Sequence, residues 1–294
     1  GVISALHGDT FGSDGSRIDS IVDFPGTHHD PHGRITVVIA PHSAYDLPIE
    51  ACRDLAAAAR ELDVVLHIHV AETKLEGAEL EAAHGASTVQ ILAEAGVLDG
   101  RVLTAHSVWL DDRDIATYAE LDVAVAHCPV SNMKLGSGVA AVRKMIEAGV
   151  TVGIGTDGPA SNDDLDMWQE LKIAALLARV DALDAAALGP RDVLTMATRG
   201  GALASGLDDV GMLAPGMAAD FIRLDTDDAG FVPVTNVDEL FAHLAWSGAA
   251  RHVTDVWLAG EQVVADGVCV TIDEAEARRE VQERGVRLAV DSNT

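Results

Sequence analysis

The 294-residue chain sets 20 Lys and Arg against 47 Asp and Glu, a formal net charge of −27. Nucleic-acid backbones and anionic membrane surfaces are bound through clustered Lys and Arg, so this balance excludes a nucleic-acid binder and argues against membrane-surface association. No run approaches the roughly 18 apolar residues of a membrane span and no basic, apolar leader is seen, which predicts a soluble, cytoplasmic protein.

In chain order, apolar runs at Val2 to Leu6, Ile35 to Ala40, Val64 to Val70, Val102 to Ala105, Val123 to Ala126 and Val150 to Ile154 read as six strands. Between the first two, Phe11 to Gly33 reads as a long loop whose His28, His29 and His32 resemble a metal cluster by composition only. Alanine and leucine at helical spacing predict helices over Ile49 to Glu61, Gly77 to Ala95, Asp111 to Leu121 and Val139 to Ala148, then Leu165 to Val180 and Pro190 to Thr198. Strand followed by helix, repeated, implies an α/β fold with a parallel sheet and right-handed crossovers. From about Gly206 short apolar runs at Asp220 to Leu224, Val253 to Leu258 and Val263-Val264 are punctuated by glycine and proline, with a closing helix over Asp273 to Leu288. The division is therefore 1–205 and 206–294.

Cys52, Cys128 and Cys269 are odd in number and lack metal-type spacing, so they read as buried thiols. Lysine occurs only at Lys74, Lys134, Lys144 and Lys172, and the acidic surface resembles that of salt-adapted proteins, in which screening suppresses self-repulsion. A coding bias toward Arg, Ala and Asp would give a similar composition.

Polar clusters close three of the apolar runs: His67-Ile68-His69-Val70-Ala71-Glu72, Thr104-Ala105-His106 and Gly155-Thr156-Asp157-Gly158. Carboxyl ends of parallel strands are where a (β/α)₈ barrel keeps its chemistry, and histidines with a nearby carboxylate suit a metal ion and a proton shuttle. A lone strand histidine is more often a satisfied core residue. Here the neighbouring motifs favour function.

These residues, with His127-Cys128-Pro129-Val130-Ser131-Asn132-Met133-Lys134-Leu135, Ser161-Asn162-Asp163-Asp164-Leu165-Asp166-Met167, Ala197-Thr198-Arg199-Gly200-Gly201-Ala202 and Pro215-Gly216-Met217-Ala218-Ala219-Asp220, resemble the amidohydrolase superfamily. The branch is that of the 5-methylthioadenosine/S-adenosylhomocysteine deaminases and the s-triazine chlorohydrolases. The resemblance covers nearly the whole chain. It implies a TIM-like (β/α)₈ barrel, incomplete because the first strands are missing, with part of a small C-terminal β-sandwich. It also implies one divalent metal ion, zinc or alternatively iron, held by His69 and Asp157. Glu72 would be the acid/base that carries a proton to the substrate ring, and His106 would polarise water or stabilise the intermediate. Asp157 would accept a proton as well as touch the metal. His42, in Pro41-His42-Ser43-Ala44-Tyr45, and Trp109 would meet the substrate together with Glu72.

The implied reaction is attack of hydroxide, generated at the metal, on the ring carbon of a purine nucleoside such as 5-methylthioadenosine or S-adenosylhomocysteine, with loss of ammonia. Guanine, cytosine, 8-oxoguanine and s-triazines are alternative heterocycles. The full-length parent would be a homo-oligomer. Members also carry a first-strand His-x-His pair, which this sequence lacks; His67-Ile68-His69 does not replace it, because the ligand three residues before the glutamate is His69. The expectation is a chain that starts near the third barrel strand, binds metal poorly and is inactive as a fragment. His67, His127, Ser131, Asn132 and Lys134 are expected to be structural.

Overall fold

The computed structural model describes residues 35–291. Its first sheet is parallel, in the order β1 (Leu66–Val70), β2 (Val102–His106), β3 (Ala124–His127) and β4 (Val152–Ile154). Helix α1 (Ile49–Glu61) precedes β1; α2 (Lys74–His84) and α3 (Thr88–Glu94) connect β1 to β2, and α4 (Asp112–Glu120) connects β2 to β3. The short α5 (Pro129–Lys134) and α6 (Val142–Glu147) lead to β4, and α7 (Pro159–Asn162), α8 (Met167–Ala182), α9 (Pro190–Thr195) and α10 (Gly201–Ala204) follow. A five-residue π-helical stretch, Met196–Gly200, joins the last two.

Burial follows the expected periodicities. In α1 the buried Cys52, Leu55, Ala56, Ala58 and Ala59 form one stripe against the sheet. In β1 Leu66, Ile68 and Val70 face the helices, leaving half-buried His67 and His69 on the other face. Each fully buried Leu or Ile contributes on the order of 1.5–3 kcal/mol. Tyr118 of α4 is wholly buried beneath β2, its hydroxyl 3.4 Å from Ser107 Oγ.

Three expected elements differ. Ile35 to Ala40 is not a continuous strand: among the described residues Ile39 bridges to Leu66 and Ser43 to His69, both in parallel. Pro41, between these two, has no N–H to donate toward β1, and the next bond from β1 runs from His69 N to His42 O. The single helix expected over Gly77 to Ala95 is two, because Gly85 caps α2 in the left-handed region at φ 75°. The six expected strands become four in this sheet, the run at Val2 to Leu6 and the loop with His28, His29 and His32 lying outside the described residues.

The C-terminal strands β5 (Phe221–Leu224), β6 (Val253–Leu258), β7 (Glu261–Ala265) and β8 (Val268–Cys269) form an antiparallel sheet in chain order. Helix α11 (Val237–Ser247), absent from the sequence reading, starts where Asn236 accepts the Glu239 amide, and α12 (Glu274–Asp291) closes the chain. Among the described residues no helix is long and apolar enough to cross a membrane, and all three cysteines are free.

Candidate metal and catalytic site

The site lies at the carboxyl ends of β1, β2 and β4. Non-glycine residues in the left-handed region mark all three ends: Ala71 (φ 51°), His106 (φ 69°), Ser107 (φ 49°) and Asp157 (φ 60°). Such conformations persist where the surroundings enforce them. At His106 the consequence is direct. Strand alternation would send its side chain to the helix-facing side with Val102 and Thr104. Instead its ring stacks on His69, centroids 5.4 Å apart at 22°.

His69, His106 and Asp157 each offer one ligand atom, and the three atoms lie within 4.8 Å of one another. His106, expected to polarise water, thus lies within the same group of donor atoms as the expected ligands His69 and Asp157. His69 Nδ1 is 2.7 Å from the His42 carbonyl oxygen, which only accepts, so Nδ1 carries a proton and Nε2 is the nitrogen available as a ligand atom. His106 Nδ1 is 2.9 Å from Asn132 Oδ1, and its Nε2 is 3.9 Å from Glu72 Oε2. Asp157 Oδ2 accepts from Ser131 Oγ and Ser161 Oγ, both at 2.7 Å. Burial opposes ionisation of Asp157, but those two hydroxyls, the Gly158 amide and nearby His106 outweigh it and hold the carboxyl below its ordinary range. Two imidazoles and a carboxylate, each oriented through its second polar atom, are donor types that fit a divalent cation such as zinc.

Glu72 is set by its own helix cap. Buried Glu76 accepts from the amides of Ala71 (3.1 Å), Glu72 (2.9 Å) and Thr73 (3.5 Å), while Thr73 Oγ1 accepts from the Glu76 amide. Burial, reinforced by Glu72 and partly offset by the three amides, pushes the Glu76 carboxyl above its usual range. His42 reaches the site from the bridging segment, its ring 4.8 Å from that of His69. Its Nδ1 lies 3.1 Å from Asp46 Oδ2, so the imidazole is held through one nitrogen, and Tyr45 packs edge-on at 5.5 Å. Trp109 stands three residues beyond His106, partly exposed, donating from Nε1 to Ser137 O at 2.7 Å with Lys74 Nζ over its ring at 5.4 Å.

Two residues read as structural sit closer to the chemistry than expected: Ser131 and Asn132, both on α5, hold Asp157 and His106. His127 is buried at the end of β3 with Nδ1 unpartnered among the described residues, and burial, aided by His106, pushes its pKa down to about 4. Burial likewise lowers that of His67, with His69 and His106 adding to the effect and Asp157 opposing it. Both are neutral at pH 7. The Cys128 thiol, pushed up to about 12 by burial and the charge of Asp157, is unsuited to act as a nucleophile.

A parallel α/β sheet with a histidine and carboxylate cluster at its carboxyl ends is the arrangement of a (β/α)₈-type barrel that carries its site at that face. The amidohydrolase family pattern matches residues 15–263, and the chain belongs to that family. It is 42% identical over 256 residues to a 5-methylthioadenosine/S-adenosylhomocysteine deaminase of Pelotomaculum thermopropionicum, covering 87% of this chain and 58% of that protein. The protein of the same name from Bacillus thuringiensis is 40% identical over 247 residues, covering 84% of this chain and 56% of the relative. The chain thus spans a little over half the length of these curated relatives. Among solved structures, an adenosine deaminase from Xanthomonas campestris with bound zinc superposes with TM-score 0.87 at 33% identity, covering 94% of this chain and 61% of that one. Atrazine chlorohydrolase from Arthrobacter aurescens, complexed with zinc, superposes with TM-score 0.80 at 28% identity, covering 90% and 59%.

Proposed function

We propose that this chain carries the catalytic face of a metal-dependent aminohydrolase that deaminates a purine nucleoside such as 5-methylthioadenosine or S-adenosylhomocysteine. The observation that carries the reading is the convergence of His69, His106 and Asp157 donor atoms within 4.8 Å, beside Glu72. The names of the relatives support the substrate class.

His69 and Asp157 would hold a divalent cation, zinc by the donor set with iron as the alternative, and such an ion lowers the pKa of a bound water to about 7. Glu72 would carry one proton of the attacking water to the ring nitrogen, and the second, taken from the attacking hydroxyl by Asp157, would pass to the amino group, which leaves as ammonia while the oxygen stays as the ring carbonyl. His106 Nε2, facing the same space, orients the water and steadies the charge that develops at the attacked carbon. Asp157 is held for this through Oδ2, which two serines engage. His42 stands where a substrate edge would enter, and Trp109 supplies an aromatic wall further along the loop.

The test is a substrate panel on the zinc-loaded protein, with ammonia release measured from 5-methylthioadenosine, S-adenosylhomocysteine, adenosine, guanine and cytosine, and chloride release from atrazine. Turnover of the first two above the rest supports the proposal. Preferential chloride release would move the assignment to the triazine hydrolases, as the likeness to atrazine chlorohydrolase allows. Stoichiometric zinc with no turnover of any of them would sink it.

A further inference from the structure

His69 and His106 present the same nitrogen to the site by different means. For His69 the acceptor is a backbone carbonyl, which cannot reverse its polarity. For His106 it is a side-chain amide, with an acceptor at one end and a donor at the other. The choice is consequential. With Oδ1 toward the ring, Nδ1 is protonated and Nε2 holds a lone pair facing Glu72, His69 and Asp157. With the amide reversed, Nδ2 would donate to Nδ1 and the proton would move to Nε2, which could then neither ligate a cation nor accept from water.

We propose that Asn132 is a positioning residue that holds His106 as the Nδ1-protonated tautomer, using helix α5 as a brace between the strand ends of β2 and β4. The proposal rests on the reading of His106 as a site residue. His106 and Asn132 are 2% and 1% exposed, so water cannot replace the amide as acceptor, and stranding a buried N–H there disfavours its tautomer by about tenfold or more. The backbone of Asn132 is held by its helix, while its side-chain Nδ2 is buried with no hydrogen-bond partner among the described residues. Asn132 N donates to Cys128 O at 3.0 Å, and its carbonyl accepts from Ser137 N at 2.8 Å.

The helix is gripped from three sides. Val130 N donates to Glu170 Oε2 of α8 at 3.1 Å, and the other carboxylate oxygen of Glu170 accepts from Asn162 Nδ2 at the end of α7. Ser131 Oγ donates to Asp157 Oδ2 at 2.7 Å, so adjacent residues of one turn of helix orient a histidine on one neighbouring strand end and an aspartate on the other. An isosteric leucine would leave Nδ1–H buried without an acceptor, whereas a proton on Nε2 would face the Glu72 carboxylate 3.9 Å away.

The experiment reads the proton directly. Long-range ¹H–¹⁵N correlation spectra of the full chain, recorded before and after metal removal by chelation, distinguish pyrrole-type from pyridine-type ring nitrogens, and the His106 signals are assigned by their loss in His106→Gln. The expected result in the metal-free protein is pyrrole-type Nδ1 and pyridine-type Nε2 in the native sequence and in Asn132→Asp, which keeps the acceptor. In Asn132→Leu the two types exchange. A pyrrole-type Nε2 in the native protein overturns the proposal, as does an unchanged Nδ1–H tautomer in folded Asn132→Leu. Should the leucine variant fail to fold, the native spectrum alone still decides. No turnover is measured, so the result stands or falls separately from the deaminase assignment.

Discussion

Replacing Glu170 with glutamine isolates one titration whose size the structure supplies. Glu170 is fully buried, and burial, reinforced by Asp164 and Asp157 and opposed by its bonds from Val130 N and Asn162 Nδ2, pushes its pKa up to about 7. The unfolded value is near the ordinary 4.5. A carboxyl whose folded pKa is raised contributes stability that is fully present below the unfolded pKa and is lost as pH rises through the folded one. Integrated between pH 5 and pH 8, that loss is about 2–3 kcal/mol at ~1.36 kcal/mol per pH unit. His127 works in the opposite sense: its pKa is depressed to about 4, so stability is lost as pH falls from about 6.5 toward 4. The two partly cancel in the native protein, and the glutamine variant removes only the Glu170 limb. Urea unfolding followed by tryptophan fluorescence at pH 5 and pH 8 should show the variant gaining about 2–3 kcal/mol relative to native on going to the higher pH. The absolute offset depends on how the amide meets its two donors, but the pH-dependent difference does not. A native-to-variant difference that is the same at both pH values would refute the account of Glu170 as a buried, up-shifted acid.

In the full-length parent, Glu72→Gln should retain zinc by metal analysis while ammonia release falls by roughly 10²–10⁴, since the amide hydrogen-bonds but cannot shuttle a proton; near-normal turnover at equal zinc would remove Glu72 from the chemistry. Asp157→Asn should reduce both zinc content and turnover, because it deletes the one anionic donor of the cluster; unchanged zinc content would count against Asp157 as a ligand. Gly153→Ala in β4 should lower the thermal midpoint, corresponding to a loss of about 1–3 kcal/mol, because a Cβ there would lie 2.7 Å from the backbone Cα of Gly201 in α10, which has no flexible side chain to give way. A melt within error of native would show that the helix can shift.

How much of this was legible follows from the range of each signal. His69, Glu72, His106 and Asp157 could be named because each closes an apolar run, and the period-two rule put His67 and His69 on the face away from Leu66 and Ile68. The same rule misplaces His106, since nothing in Thr104-Ala105-His106 announces a φ of 69°. Pro41, immediately after the run Ile35 to Ala40, did carry its warning: it has no N–H with which to extend a ladder, and isolated bridges stand where the run alone suggests a strand. Ser131 and Asn132 were passed over for a different reason, because their partners are distant in sequence and composition has no way to pair them. Yet the separations are equal: His106 to Asn132 and Ser131 to Asp157 are both 26 residues. In a parallel sheet with helical crossovers, that distance is one strand–helix repeat. The short helix after β3 therefore meets the end of the strand before it and the end of the strand after it. A polar pair at a strand's carboxyl end, spaced by one repeat from a histidine upstream and an aspartate downstream, is a pattern the sequence holds but only the topology makes readable.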